Sequence, residues 1–198
     1  TLDGLTPNTR YFYELRDAAT SLRLLPTPGM GTFHTARPPG AGFSFTVTAD
    51  SHLDENTSPG LYLQTIRNSA ADRPDFHIDL GDTFMAGKFG ASHGDALPQY
   101  LAQRWYFGQL CAQAPLFLVL GNHDGETAGR VTDAVRLRTR LFPNPLPDDF
   151  YTGNARPLPG LGGLPQDYYA WTWGSALFVV DRKSTRLNSS PRIRARMP

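Results

Sequence analysis

Three stretches of this chain carry apolar runs that end abruptly in polar residues: FSFTVTAD (43–50), DFHIDLGD (75–82) and PLFLVLGNHD (115–124). Runs of this length, bounded by Gly, Pro and Asp, read as buried strands. Between them the apolar positions recur at helical spacing. SPGLYLQTIRNSAADR (58–73) predicts a helix with Ser58 as N-cap and Pro59 at its first position. ALPQYLAQRWYFGQLCAQA (96–114) and RVTDAVRLRTRLF (130–142) predict two more. Alternating strand and helix predict a βαβα layered fold of the α/β class with a parallel sheet at its core. A Pro/Gly-rich loop runs from Pro143 to Pro165, and DYYAWTWGSALFVVD (167–181) then predicts two further strands around Gly174.

The two ends of the chain follow different patterns. In residues 1–38, LDGLTPNTRYFYELRD alternates around Tyr11, Tyr13 and Leu15, and MGTFHTARPP reads as a second strand stopped by Pro38 and Pro39. The pattern Leu5-x-Pro7-x-Thr9-x-Tyr11 resembles the tyrosine corner of immunoglobulin-like and fibronectin type III sandwiches. On that resemblance, residues 1–38 are the last strands of an all-β module whose earlier strands are absent; the alternative is a lone β-hairpin packed on the next domain. Residues 41–181 form the layered domain. Residues 182–198 have no apolar periodicity and are expected to pack no core. RKSTRLNSS also resembles translated sequencing-adapter read-through, so this tail is expected not to belong to the natural sequence, a basic disordered tail being the alternative.

Charge sharpens that division. The chain has 19 basic and 18 acidic residues. Six of the basic ones (Arg182, Lys183, Arg186, Arg192, Arg194, Arg196) lie in the tail, leaving 13 against 18, or −5, for the rest. A mildly acidic body argues against nucleic acid as a partner. No apolar run reaches the length of a membrane span. Cys111 is the only cysteine, so it has no partner for an internal disulfide and reads as a small core residue. Neither a G-x-S-x-G elbow nor a P-loop is present.

The chemistry gathers where the strands end. In open parallel sheets ligands bind beyond the carboxyl ends of the strands. Asp50-Ser51-His52, Gly81-Asp82 and Gly121-Asn122-His123-Asp124 are therefore predicted to share one sheet edge. They form a mixed nitrogen and oxygen donor set without thiolate, suited to Mn, Fe, Zn or Ni. Gly81 and Gly121 let the backbone turn sharply there.

The order D-x-H, G-D, G-N-H-D resembles the signature of the calcineurin-like metallophosphoesterases, and the resemblance covers residues 43–181. It implies a calcineurin-like β-sandwich flanked by helices, and two metal ions about 3.5–4 Å apart that use a metal-bound hydroxide on a phosphate ester. It implies Asp50 and His52 as ligands of the first metal, Asp82 as the bridging carboxylate and Asn122 as a ligand of the second metal. His123 would contact the phosphate and protonate the leaving group, with Asp124 orienting it. A sandwich module ahead of such a domain is similar to the purple acid phosphatases and their bacterial relatives, which points to a small phosphate-ester substrate, an acid-phosphatase-like activity and export to the periplasm or beyond. Two departures stand out. Met85 occupies the position of that group's metal-binding tyrosine, and His52 stands where its first motif has glycine. An Fe(III)–tyrosinate centre is therefore not expected.

The family pattern also calls for three further histidines, two of them in a G-H-x-H motif, and no histidine follows His123. This chain by itself is accordingly expected to be inactive or nearly so. His77 reads as a core histidine, His34 as a surface one, and His93 as a loop residue near the site. Tyr151, Asn154, Arg156, Tyr168 and Trp171 are candidates for the substrate rim or for loop packing. Two functional alternatives remain: a phosphodiesterase or nucleotide hydrolase of the same fold, and a truncated non-catalytic binding module.

Overall fold

The computed structural model describes residues 2–24, 30–89, 93–124, 126, 131–181 and 192–196. An antiparallel hairpin comes first, β1 (Arg10–Tyr13) and β2 (Gly31–His34). Tyr11 stacks on Phe33 with ring centroids 5.6 Å apart, and its hydroxyl accepts the Thr6 N–H at 2.8 Å. The bond runs back to a residue five positions upstream. The described residues of this region hold these two strands, an arrangement common to the sandwich remnant and the lone hairpin. The hairpin is tied to the rest of the chain where the Thr32 N–H donates to the Ala112 carbonyl at 2.7 Å.

The central sheet is parallel, as the alternation predicts. Strands β3 (Phe45–Thr48), β4 (Phe76–Asp79) and β5 (Leu116–Leu118) lie in the order β3-β4-β5. Helix α1 (Pro59–Ala71) connects β3 to β4, while α2 (Ala86–Phe89) and α3 (His93–Cys111) connect β4 to β5; α4 (Val131–Leu141) follows. Pro59 begins α1 as expected, but Ser58 makes no side-chain capping bond and only its backbone occupies the cap position. The strands are shorter than the apolar runs, because the chain leaves the ladder before each polar cluster.

A second, antiparallel sheet contains β6 (Thr152–Gly153), β7 (Tyr169–Trp173), β8 (Ala176–Asp181) and β9 (Arg192–Arg196). Gly174 sits in the β7–β8 turn with φ +59°. Strand β9 departs from the expectation of a tail without structure: it pairs antiparallel with β8, from Leu177↔Arg196 to Asp181↔Arg192. A ladder is made by backbone groups, so a segment can extend a sheet edge whatever its side chains.

Alternation along β4 and β5 separates two cores. Phe76, Ile78, Phe117 and Val119 pack against Tyr169, Trp171, Trp173, Phe178 and Val180 between the sheets. Leu118 and Leu120 face the helices, among Ile66, Tyr100, Phe107, Leu110 and Leu137. The result is a layer of helices, a parallel sheet and an antiparallel sheet. Strand β4 is buried on both faces and β5 nearly so, while Phe45 and Val47 of the edge strand β3 stay exposed; the covered strands leave their ends as the place where polar groups can converge.

Candidate metal centre

The three predicted clusters do meet at one edge, and their loops are bonded to one another. The Asp50 N–H donates to the Gly81 carbonyl at 3.0 Å, and the His52 N–H to the Asp82 carbonyl at 3.1 Å. Four non-glycine residues here take left-handed backbone conformations: Asp50 (φ 55°), His52 (49°), Leu53 (52°) and Asp82 (51°). Each such residue costs about 1–3 kcal/mol and persists only where its surroundings enforce it. Three of the four are predicted ligands, so the local strain falls on the candidate site.

Both glycines are required, for different reasons. Gly81 has φ +94°, and a Cβ there would lie 2.8 Å from the Val119 carbonyl oxygen. At Gly121 the constraint is close approach: a Cβ would lie 2.5 Å from the backbone N of Asp82. The loops after β4 and β5 touch only because neither residue has a side chain.

These contacts bring ring nitrogens of His52 and His123 and a carboxylate oxygen of Asp82 within 4.8 Å of one another. Donors on opposite sides of one first-row cation stand about 4–4.5 Å apart, so the group fits a single ion with slight contraction. His52 Nε2 is buried and has no hydrogen-bond partner. A buried ring nitrogen without a partner is costly, and cation ligation would relieve that cost. The Asp50 carboxylate lies 3.9 Å from His52 Nε2 and is 70% exposed, outside the three-residue group. Asn122 is exposed at the same loop. The Asp82 carboxylate also accepts the His123 N–H at 2.7 Å, which ties the histidine's backbone to the central carboxylate.

Asp124 differs from expectation in what it holds. It is buried, and its two oxygens accept four backbone N–H groups: Gly121 (2.6 Å), Phe84 (2.8 Å), Thr83 (2.9 Å) and Asp82 (3.0 Å). The carboxylate binds the turn around Asp82 rather than the imidazole of His123, so any effect on that ring passes through the backbone. Burial raises its pKa to about 7, against the lowering by the N–H groups of Phe84 and Gly121.

Residues that the sequence reading did not single out support the same turn. Asp79, fully buried on β4, accepts the Thr48 hydroxyl at 2.7 Å, the Gly81 N–H at 3.2 Å and the Thr83 hydroxyl. His77 is the core histidine expected: its Nδ1 meets the Thr46 hydroxyl at 2.8 Å and its Nε2 the Thr48 hydroxyl at 2.9 Å. Beyond Asp124, the buried Glu126 pairs with Arg138 of α4 at 2.5 Å. The available signal for Asp79 was a carboxylate inside an apolar strand. For Arg138, an arginine on an exposed-looking helix, there was none.

The rim candidates divide. Trp171 is buried between the sheets, Asn154 is buried against Asp167 at 2.7 Å, and the Tyr151 ring packs near Phe117. These three are loop and core packing. Tyr168 and Arg156 are exposed. His93 opens α3, but its side chain lies outside the described residues. An open cleft of about 440 Å³ borders Asp50, Ser51, His52, Thr57 and Tyr62. Among the described residues no helix is long and apolar enough to cross a membrane.

Against models of known families, residues 43–188 match the calcineurin-like phosphoesterases. No curated protein matches the chain.

Proposed function

Because this chain belongs to the calcineurin-like phosphoesterase family, whose members are metal-dependent hydrolases of phosphate esters, we propose that its strand-end cluster is half of a dinuclear centre acting on small phosphate monoesters. The observation that supports this is the approach of His52 to Asp82, with His52 Nε2 buried and unpartnered and the His123 ring beside both. In this reading Asp50 and His52 hold one cation, Asp82 is shared, and Asn122 holds the second. Fe, Mn or Zn would suit the donors. The ions, when bound, supply charge neutralisation at the phosphoryl oxygens and an acidified water.

The chain's own residues do the rest. In this reading His123, whose backbone N–H is bonded to Asp82, supplies the proton that the leaving oxygen needs. The open cleft of about 440 Å³ borders Asp50 and His52 on the α1 side of the cluster, and its volume admits a small ester. Asp124 keeps the Asp82–Phe84 backbone in place under the centre. The remaining histidine ligands would come from a downstream G-H-x-H segment.

The test compares the 198-residue chain with Asp82→Asn and His52→Ala, titrated with Mn(II) and assayed on para-nitrophenyl phosphate and its bis-ester. The expected result is weak Mn(II) uptake, lost in both variants and removed by a chelator, with hydrolysis slow or absent. Absence of Mn(II) uptake by the unaltered chain refutes the reading. Rapid hydrolysis would overturn the half-site, and preference for the bis-ester would replace monoesterase by diesterase.

A further inference from the structure

Helix α3 enters the site through two amides one turn apart. Gln99 and Gln103 have i, i+4 spacing, so they share a helix face, and both are buried, Gln103 completely. Gln99 Nε2 donates to the carbonyl of His52 at 2.8 Å, while its Oε1 accepts the Met85 N–H at 2.9 Å. Gln103 Nε2 donates to the Ser51 hydroxyl at 3.0 Å and to the Thr83 carbonyl at 2.7 Å. Its Oε1 accepts the Tyr62 hydroxyl of α1 at 2.8 Å. Each glutamine therefore has one bond to the loop after β3 and one to the loop after β4. The bonded positions flank the candidate ligands: Ser51 and His52 itself on one side, Thr83 and Met85 beyond Asp82 on the other.

A buried amide can be retained only if its polar atoms are paired, and here the pairing is divided between two loops that carry strained residues. A leucine or methionine could fill the same volume without joining them. The amide nitrogen and oxygen of both glutamines are engaged in these bonds rather than turned to the donor atoms. Resting on the metal-site reading above, we propose that Gln99 and Gln103 are positioning residues. They set the separation of the two loops, so that His52 Nε2 and the Asp82 carboxylate converge on one cation.

A purely structural role would change melting alone, so the test reads metal affinity and local protection separately. Gln99→Met and Gln103→Leu are made in the 198-residue chain. Co(II) affinity is followed by visible absorption, backbone hydrogen exchange is measured without metal, and far-UV circular dichroism checks folding. The expected result is folded variants with Co(II) affinity lower by about tenfold or more and faster exchange in segments 50–53 and 82–85 together. Variants that stay folded and bind Co(II) within twofold of the unaltered chain overturn the proposal. Should Gln103→Leu not fold, Gln99→Met, at a position 8% exposed, decides alone. An unaltered chain that takes up no Co(II) overturns the metal-site reading and this role with it. Unaltered uptake with unchanged variants overturns the glutamine role only.

Discussion

Replacing Thr48 by valine removes one hydroxyl and almost no volume, yet it should cost about twice as much as the same change at Thr46. A hydroxyl has a single proton. At Thr48 that proton is committed to Asp79, 2.7 Å away, so its oxygen accepts from Nε2–H of His77 at 2.9 Å. Nδ1 of His77 then accepts the Thr46 proton at 2.8 Å. Thr48→Val strands two buried groups, an N–H and a carboxylate oxygen, at about 1–3 kcal/mol each, whereas Thr46→Val strands one ring nitrogen. For a chain of this size each kcal/mol moves Tm by roughly 2–4 °C. The expected losses are roughly 4–24 °C for Thr48→Val and roughly half that, 2–12 °C, for Thr46→Val, read by circular dichroism of the metal-free chain near neutral pH. Equal losses, or a larger one at Thr46, would refute the proton assignment.

The same network predicts a pH behaviour. Burial lowers the pKa of His77 to about 4 and raises that of Asp79 to about 6. The depressed histidine stabilises the fold above its ordinary 6.5, and this contribution is lost as pH falls towards 4. The raised carboxyl contributes below its ordinary 3.8, and that contribution is lost as pH rises through 6. Each shift corresponds to about 3 kcal/mol, so the two oppose and nearly cancel between pH 4 and 6. The first proton to enter goes to Asp79. Ring-proton NMR should show a neutral His77 imidazole down to nearly pH 4, and titration near 6.5 would contradict the network.

Three further outcomes are expected. Gly121→Ala forces a Cβ onto the backbone of Asp82 and should abolish Mn(II) uptake even if the chain folds; retained affinity would mean the loops separate without loss. Glu126→Gln leaves Arg138 charged and buried, costing about 3–5 kcal/mol, or roughly 6–20 °C in Tm. Adding Arg138→Met should restore much of that loss, whereas additive losses in the double mutant would show that the pair is not coupled. Sequencing source DNA beyond codon 181 should find a frame that continues to a G-H-x-H motif; a frame without one would refute the dinuclear reading.

What could be read from the sequence was whatever rests on periodicity and on strand ends. Apolar runs with interspersed helical patterns specify a parallel sheet, because buried strands and amphipathic helices have few other ways to cover each other. The rule that polar residues after such strands share one edge then placed Asp50, His52, Asp82, Asn122, His123 and Asp124 together without any coordinates. Gly81 and Gly121 were legible as special backbone positions, although the close approach to Asp82 that makes Gly121 necessary was not.

Roles that depend on which neighbour a side chain meets were not legible. Asp124 stands beside His123 in sequence, yet its oxygens turn to four N–H groups, three of them about forty residues away. Gln99 and Gln103 look like ordinary helix polar residues until folding buries them against two loops. Trp171 and Asn154 suited a rim by composition and went to the interior instead. A one-dimensional pattern records which face of an element is apolar. Hydrogen-bond direction and the choice of partner are settled only when separate elements are packed together and every buried polar atom has to find a match.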